Sequence, residues 1–126
     1  MLTKIISAFQ PRFANQKVII ETVHGSVDGP EGFKIEASKF DNQLTAKITY
    51  QDVNAVRYAL NRIFDFANSS ENYLELSEAP EFPVRGVVEG FYGKPWNHQQ
   101  RIRAIEKFGD FNFNTYFIAP KDVAWQ

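Results

Sequence analysis

The feature that most constrains this chain is a pair of short apolar runs, residues 84–88 and 113–119, separated by a segment with helical signals. Asn97 stands as an N-cap with Gln100 three positions later, a pairing in which each side chain bonds the other's backbone N–H. Ile102, Ile105 and Phe108 then recur as the expected buried face, and Gly109 offers a C-cap just past the end. Strand, helix and strand in that order make a βαβ unit with parallel strands, because the helix carries the chain back to its starting edge. Glycines and aromatics follow the first run, and Pro120-Lys121-Asp122 follows the second. Polar groups therefore collect at the carboxyl ends of the strands, where parallel α/β barrels place their active sites. Two such strands and one helix cannot cover both faces of a sheet, and a complete (β/α)8 TIM barrel takes about 250 residues. The expectation for residues 83–126 is the first βαβ unit of an incomplete barrel.

The chain divides near Pro80 and Pro83, and the part before them reads differently. Residues 17–23 form a buried or edge strand, with turn chemistry at 24–26 and 28–30. Phe33, Ile35 and Ala37 alternate with polar residues, as do Leu44, Ala46, Ile48 and Tyr50. Both stretches have the period of half-buried strands, and Asp41-Asn42 is a two-residue hairpin turn between them. Asp52 caps a helix whose Val53, Val56, Leu60, Ile63, Phe64 and Ala67 share one face, ending at 68–70. Residues 73–76 add a short strand. A sheet with an amphipathic helix laid across it is the simplest way to bury both apolar sets, which predicts an α+β N-terminal domain over residues 1–82.

Composition sets the limits. The 126 residues hold one ordinary domain, or a small one and part of another, and 44% apolar content is enough for a core. The formal net charge of −1 gives no purchase for a nucleic acid or an anionic membrane. Cysteine is absent and there are two histidines, His24 and His98, so neither a disulfide framework nor a metal centre is expected. No cofactor is expected either. No apolar run reaches the ~20 residues of a membrane span. The first nine residues are too short an apolar stretch for a signal peptide, which makes the cytoplasm the default compartment.

The run Arg85-Gly-Val-Val-Glu-Gly-Phe-Tyr-Gly-Lys-Pro-Trp96, with Asn114-Thr-Tyr-Phe-Ile-Ala-Pro-Lys-Asp122 after it, resembles the opening of the catalytic barrel in glycoside hydrolase family 84. That family contains the β-N-acetylglucosaminidases that remove O-linked N-acetylglucosamine from proteins and bacterial enzymes once called hyaluronidases. The upstream domain is similar in layout to the small α+β domain preceding the barrel in bacterial members. The resemblance implies substrate-assisted hydrolysis. The 2-acetamido oxygen attacks its own anomeric carbon, while two adjacent aspartates orient it and serve as general acid and base. No adjacent aspartates occur here: positions 28, 41, 52, 65, 110 and 122 are isolated. The resemblance therefore implies a chain without catalytic residues of its own. It also implies part of a sugar site: Gly90 with its carbonyl on a sugar hydroxyl, Lys121 donating to hydroxyls, and Tyr92 and Phe91 at the pocket floor. The implied partner is a glycan or glycoprotein bearing N-acetylglucosamine, with self-association through the exposed barrel strands as a further expectation. Where family members read Pro-Lys-Asp-Asp, this chain has Val123 after Asp122.

Each of these residues has a plainer role open to it. Gly90 and Gly93 can be turn glycines, Lys121 a solvated lysine, and Phe91, Tyr92 and Trp96 core packing. Glu89 and Asp122, both at strand ends, have the chemistry of a carboxylate pair, but a Glu within an apolar strand more often holds a loop by hydrogen bonds. Two other functions compete: a non-catalytic structural module carrying a barrel remnant, and a hexosaminidase of another family. The residues following a later strand decide among these, Asp-Asp for the first reading and Asp-Glu for the last.

Overall fold

The computed structural model describes residues 1–13, 15–91 and 94–120, with the side chains of Phe91 and Pro120 outside the description. The chain splits into two compact units, Met1–Pro83 and Val84–Gln126.

In the first unit, strands β1 (Lys17–His24), β2 (Phe33–Phe40), β3 (Gln43–Tyr50) and β4 (Tyr73–Glu78) form one sheet in the order β1-β3-β2-β4. β2 and β3 pair antiparallel through a hairpin in which Asp41 and Asn42 have φ of 50° and 58°. Both central residues are left-handed, as a tight hairpin turn demands, and Asx side chains tolerate that conformation. β1 lies parallel to β3 and β4 antiparallel to β2. The alternation expected of β2 and β3 holds: Phe33, Ile35, Ala37, Leu44, Ala46 and Ile48 are buried. β2 and β4 run further than the spacing suggests, to Phe40 and Glu78.

Helix α2 (Val53–Ala67) spans the expected residues, and its N-cap Asp52 accepts from the Asn54 N–H at 2.8 Å. Its buried surface is wider than a single stripe. Ala55, Tyr58, Ala59 and Phe66 are enclosed along with Val56, Leu60 and Ile63, whereas Val53, Phe64 and Ala67 are only partly covered. The cause is helix α1 (Leu2–Phe9), in a stretch for which no element was expected. α1 and the 3-10 turn Gln10–Phe13 lie against α2 and bury Ile5, Phe9 and Phe13, with the Phe13 and Phe64 rings edge-on at 6.0 Å. α2 is thus covered by the sheet on one side and by α1 on another. Lys39 closes its far end, donating to the carbonyls of Phe66 (2.9 Å) and Ser69 (2.7 Å), groups left open at any helix C-terminus.

The second unit contains β5 (Gly86–Phe91), α3 (His98–Gly109) and β6 (Thr115–Pro120), with β5 and β6 parallel. Both strands begin two residues later than their apolar runs, because the Arg85 carbonyl already accepts from the Asn114 and Thr115 N–H groups and closes the sheet there. The capping box at Asn97 and Gln100 is formed in both directions. The expected buried face of α3 is covered only in part. Ile102 and Ile105 are 41% and 51% exposed, while Arg101, Ala104 and Phe108 are half-buried. Arg101 reaches a buried carboxylate on β5, Glu89, at 2.8 Å. Gly109 is the last helical residue rather than the cap. Asp110 caps in the right-handed region, and the left-handed residue of the turn is Asn112 at φ 63°.

Candidate functional site

At the amino end of the β5–β6 pair the motif residues lock the two strands. Arg85 donates through Nε to the Asn112 carbonyl (3.0 Å), and Asn114 Oδ1 accepts from the Arg85 N–H (3.0 Å). A Cβ on Gly86 would fall 2.1 Å from the Thr115 carbonyl oxygen, so only glycine allows this approach. These residues serve assembly.

The carboxyl end differs. Residue alternation along a strand puts Val88 and Gly90 of β5 beside Phe117 and Ala119 of β6 on one face. Val87, Glu89, Tyr116 and Ile118 point to the other. Gly90 lies inside β5 rather than in a turn, and its φ is outside the left-handed region. A Cβ there would meet nothing within 4 Å among the described residues. Neither turn geometry nor packing requires glycine at this place, in contrast to Gly86. A bare backbone at an open strand end leaves its carbonyl reachable by a ligand. The neighbouring side chains are uncovered too, Val88 being 62% and Phe117 58% exposed.

On the opposite face Glu89 is 7% exposed and saturated with donors. Its Oε2 accepts from Arg101 Nε (2.8 Å) and the Tyr116 hydroxyl (2.5 Å). Its Oε1 accepts from Arg101 Nη2 (3.2 Å) and the Trp96 N–H (3.2 Å). The Arg101 bonds first, then those of Tyr116 and Trp96, outweigh the cost of burial and hold the carboxyl down at about 2. Tyr116 is pushed up, by its burial and by donating to the carboxylate. A group ionised throughout the working pH range cannot give up a proton as a general acid. Glu89 is therefore unsuited to the acid half of a carboxylate pair, and its four donors give it the chemistry of a fixed anchor.

This shift has a pH consequence. The unfolded carboxyl titrates near the ordinary value of 4.5, and the folded one at about 2. The contribution of Glu89 to stability is therefore complete above the former and is lost as pH falls toward the latter. An NMR titration of the Glu89 side-chain carboxyl carbon should show its midpoint near 2, and a midpoint at 4.5 would mean that the Arg101 contact is not populated.

Of the residues expected at the site, Gly90 is placed at the strand end and Phe91 follows it as the last residue of β5. The Phe91 side chain, Tyr92, Gly93, Lys121 and Asp122 lie outside the described residues. Sequence reading missed Arg101 and Tyr116. A charged residue one turn past a helix N-cap and a tyrosine inside an apolar strand were the available signals. His24 is exposed and stands edge-on to Tyr50 at 5.6 Å, and His98 is exposed at the start of α3. Among the described residues no group of three or more His, Asp or Glu could hold a metal ion, and no helix is long and apolar enough to cross a membrane.

The first unit has a hollow on the sheet face opposite the helices, lined by Lys34, Glu36, Lys47, Thr49, Glu75 and Ser77. Its charges compensate one another, with Lys47 3.8 Å from Glu36, and it contains none of the motif residues.

Residues 85–126 match the family model for beta-N-acetylglucosaminidase. Protein O-GlcNAcase of Rattus norvegicus and that of Mus musculus are each 51% identical over 37 residues. That stretch is 29% of this chain and 4% of the relative. The solved structure of CpGH84D aligns with 98% of this chain and 26% of its own at a TM-score of 0.70. Sequence identity there is 16%, so this likeness speaks for the fold alone. The chain thus spans a small part of the length of the relatives it matches.

Proposed function

We infer, from the match of residues 85–126 to the family model for beta-N-acetylglucosaminidase and their likeness to protein O-GlcNAcase, that this chain is the N-terminal part of a glycoside hydrolase family 84 enzyme hydrolysing terminal N-acetylglucosaminides. In this reading β5, α3 and β6 open a (β/α)8 barrel, and residues 1–82 form an accessory α+β domain before it. The chemistry is substrate-assisted, and the aspartate pair it needs does not occur among the 126 residues. The chain's own contribution is one side of the sugar pocket. Gly90 offers its backbone carbonyl to a hydroxyl, Lys121 donates to hydroxyls, and Phe91 and Tyr92 form the floor.

The observation that carries this reading is Gly90: a glycine inside a strand, at the carboxyl end, where a Cβ would meet nothing within 4 Å among the described residues. Barrel enzymes build their sites at that end. The exposed apolar side chains support it as well. Val88, Phe117 and Ile118 on the sheet and Ile102 and Ile105 on α3 suit burial against further strands and helices.

The test is steady-state kinetics of the full-length enzyme carrying this segment. Lys121→Ala should lower kcat/KM for an N-acetylglucosaminide by roughly 10–150-fold, the loss of a charge-assisted bond worth about 1.5–3 kcal/mol. Gly90→Val should do at least as much harm by filling the space beside the ring. Unchanged kinetics in both would remove the pocket from this part of the chain.

A further inference from the structure

Strand β1 closes one side of the first sheet, and its outer edge has no neighbouring strand among the described residues. It is eight residues long, Lys17–His24, without a proline, glycine or bulge to spoil pairing. The Lys17 N–H donates to the Asn42 carbonyl and the Gly25 N–H to that of Tyr50, so the odd-numbered residues turn their main chain toward β3. By alternation, Val18, Ile20 and Thr22 turn their N–H and carbonyl groups outward along the edge. Val18 and Ile20 carry their side chains on the helix side of the sheet, where they are only half-buried because α2 packs on β2 and β3. On the other side Lys17, Ile19 and Glu21 stand in the open, Ile19 at 42% exposure. Neither Lys17 nor Glu21 forms an ion pair among the described residues.

We propose that β1 pairs antiparallel with β1 of a second copy of this chain about a twofold axis at Ile19, joining the two sheets into one. Charge sets the register. With the axis at Ile19, Lys17 of each copy faces Glu21 of the other, which makes two opposite-charge pairs from a single strand. Val18 then faces Ile20 on the helix side, and their outward main-chain groups meet as a hydrogen-bonded pair. Moving the axis to Ile20 sets Ile19 against Glu21, and moving it to Glu21 sets that carboxylate against its own copy. The β4 edge suits self-pairing less well, since Tyr73–Glu78 carries two glutamates and no lysine. On β2 the Lys39 N–H donates to the Asn72 carbonyl, so Tyr73, Glu75 and Ser77 have their main chain outward and their side chains on the open face. Pairing β1 with β4 of another copy would set Val18 and Ile20 beside that polar row and put the two helix layers on opposite faces. The β1 pair keeps both helix layers on one face and closes on itself.

The chain has no cysteine, so one introduced thiol reports the contact. At the axis the two Ile19 residues form a non-hydrogen-bonded pair with Cα atoms about 4.5 Å apart, within disulfide reach. Under mild oxidation, Ile19→Cys in the 126-residue chain should cross-link to twice the 14.5 kDa of one copy. Val23→Cys should not, because its two copies would lie roughly 26 Å apart along the strands. In the Ile19→Cys background, Lys17→Glu or Glu21→Lys should each slow cross-linking by about tenfold or more, and both together should restore it. No cross-linking at 19, which would leave the edge to a different partner, would overturn the proposal. So would equal cross-linking at 19 and 23, or a double exchange as slow as the single ones. Reading the thiol at 19 keeps the result separate from any association through the second unit.

Discussion

The 126-residue chain, purified by itself, is expected to leave a chromogenic N-acetylglucosaminide unhydrolysed. Protonating the leaving oxygen and orienting the acetamido group call for the adjacent aspartates of the family, and every aspartate here is isolated in sequence. General acid–base assistance alone contributes typically about 10²–10⁴-fold. The buried carboxylate of Glu89 cannot replace it, because Arg101, Tyr116 and Trp96 keep it ionised. An open pocket compounds the loss, since Gly90 stands uncovered and a sugar bound there would keep most of its water. The exposed Val88, Phe117, Ile102 and Ile105 should instead draw copies together, and the solution mass should rise above the 14.5 kDa of one chain as concentration increases. Clear turnover, abolished by Glu89→Gln or Asp122→Asn, would overturn both the division of labour and the anchor role of Glu89.

Leu60→Ala should remove about 3 kcal/mol from the stability of the first unit. Leu60 is fully enclosed at the middle of α2, a helix packed on β2 and β3 on one side and α1 on another. Walls on both sides limit collapse into the gap, and such truncations cost about 2–5 kcal/mol. Total stabilities are only about 5–15 kcal/mol, and a unit of this size lies toward the low end. The urea midpoint should therefore fall by roughly 1–3 M, for a slope of about 1–3 kcal/mol per molar. A loss below 1 kcal/mol would show that α2 is not clamped between two layers.

Much of the first unit was legible because its signals are local. The β2–β3 hairpin follows from alternation and an Asp-Asn turn, and α2 from a cap and a stripe three or four residues apart. The width of the buried α2 surface was not legible. It depends on α1, whose Ile5 and Phe9 have no meaning in isolation and gain one only against Phe64 and its neighbours. In the second unit, the capping box placed α3, and of the stripe Ile102–Ile105–Phe108 only Phe108 is half-buried. Apolar spacing marks a face to be buried without naming the partner, and it is Arg101 that meets Glu89 of β5.

The candidate site divides along the same line. The amino-acid sequence by itself determined the βαβ order and the polar residues at the strand ends, because a motif of consecutive residues carries its own register. It also marked Gly90 and Lys121 by family resemblance. Only the tertiary structure separated Gly86, a glycine required by a neighbouring carbonyl, from Gly90, which no described residue crowds. Only it brought Arg101 and Tyr116 onto Glu89, across separations of 12 and 27 residues. No periodicity spans such distances. Those bonds exist because strand pairing and helix packing place the groups together, and because a buried carboxylate must find its donors wherever the fold has put them.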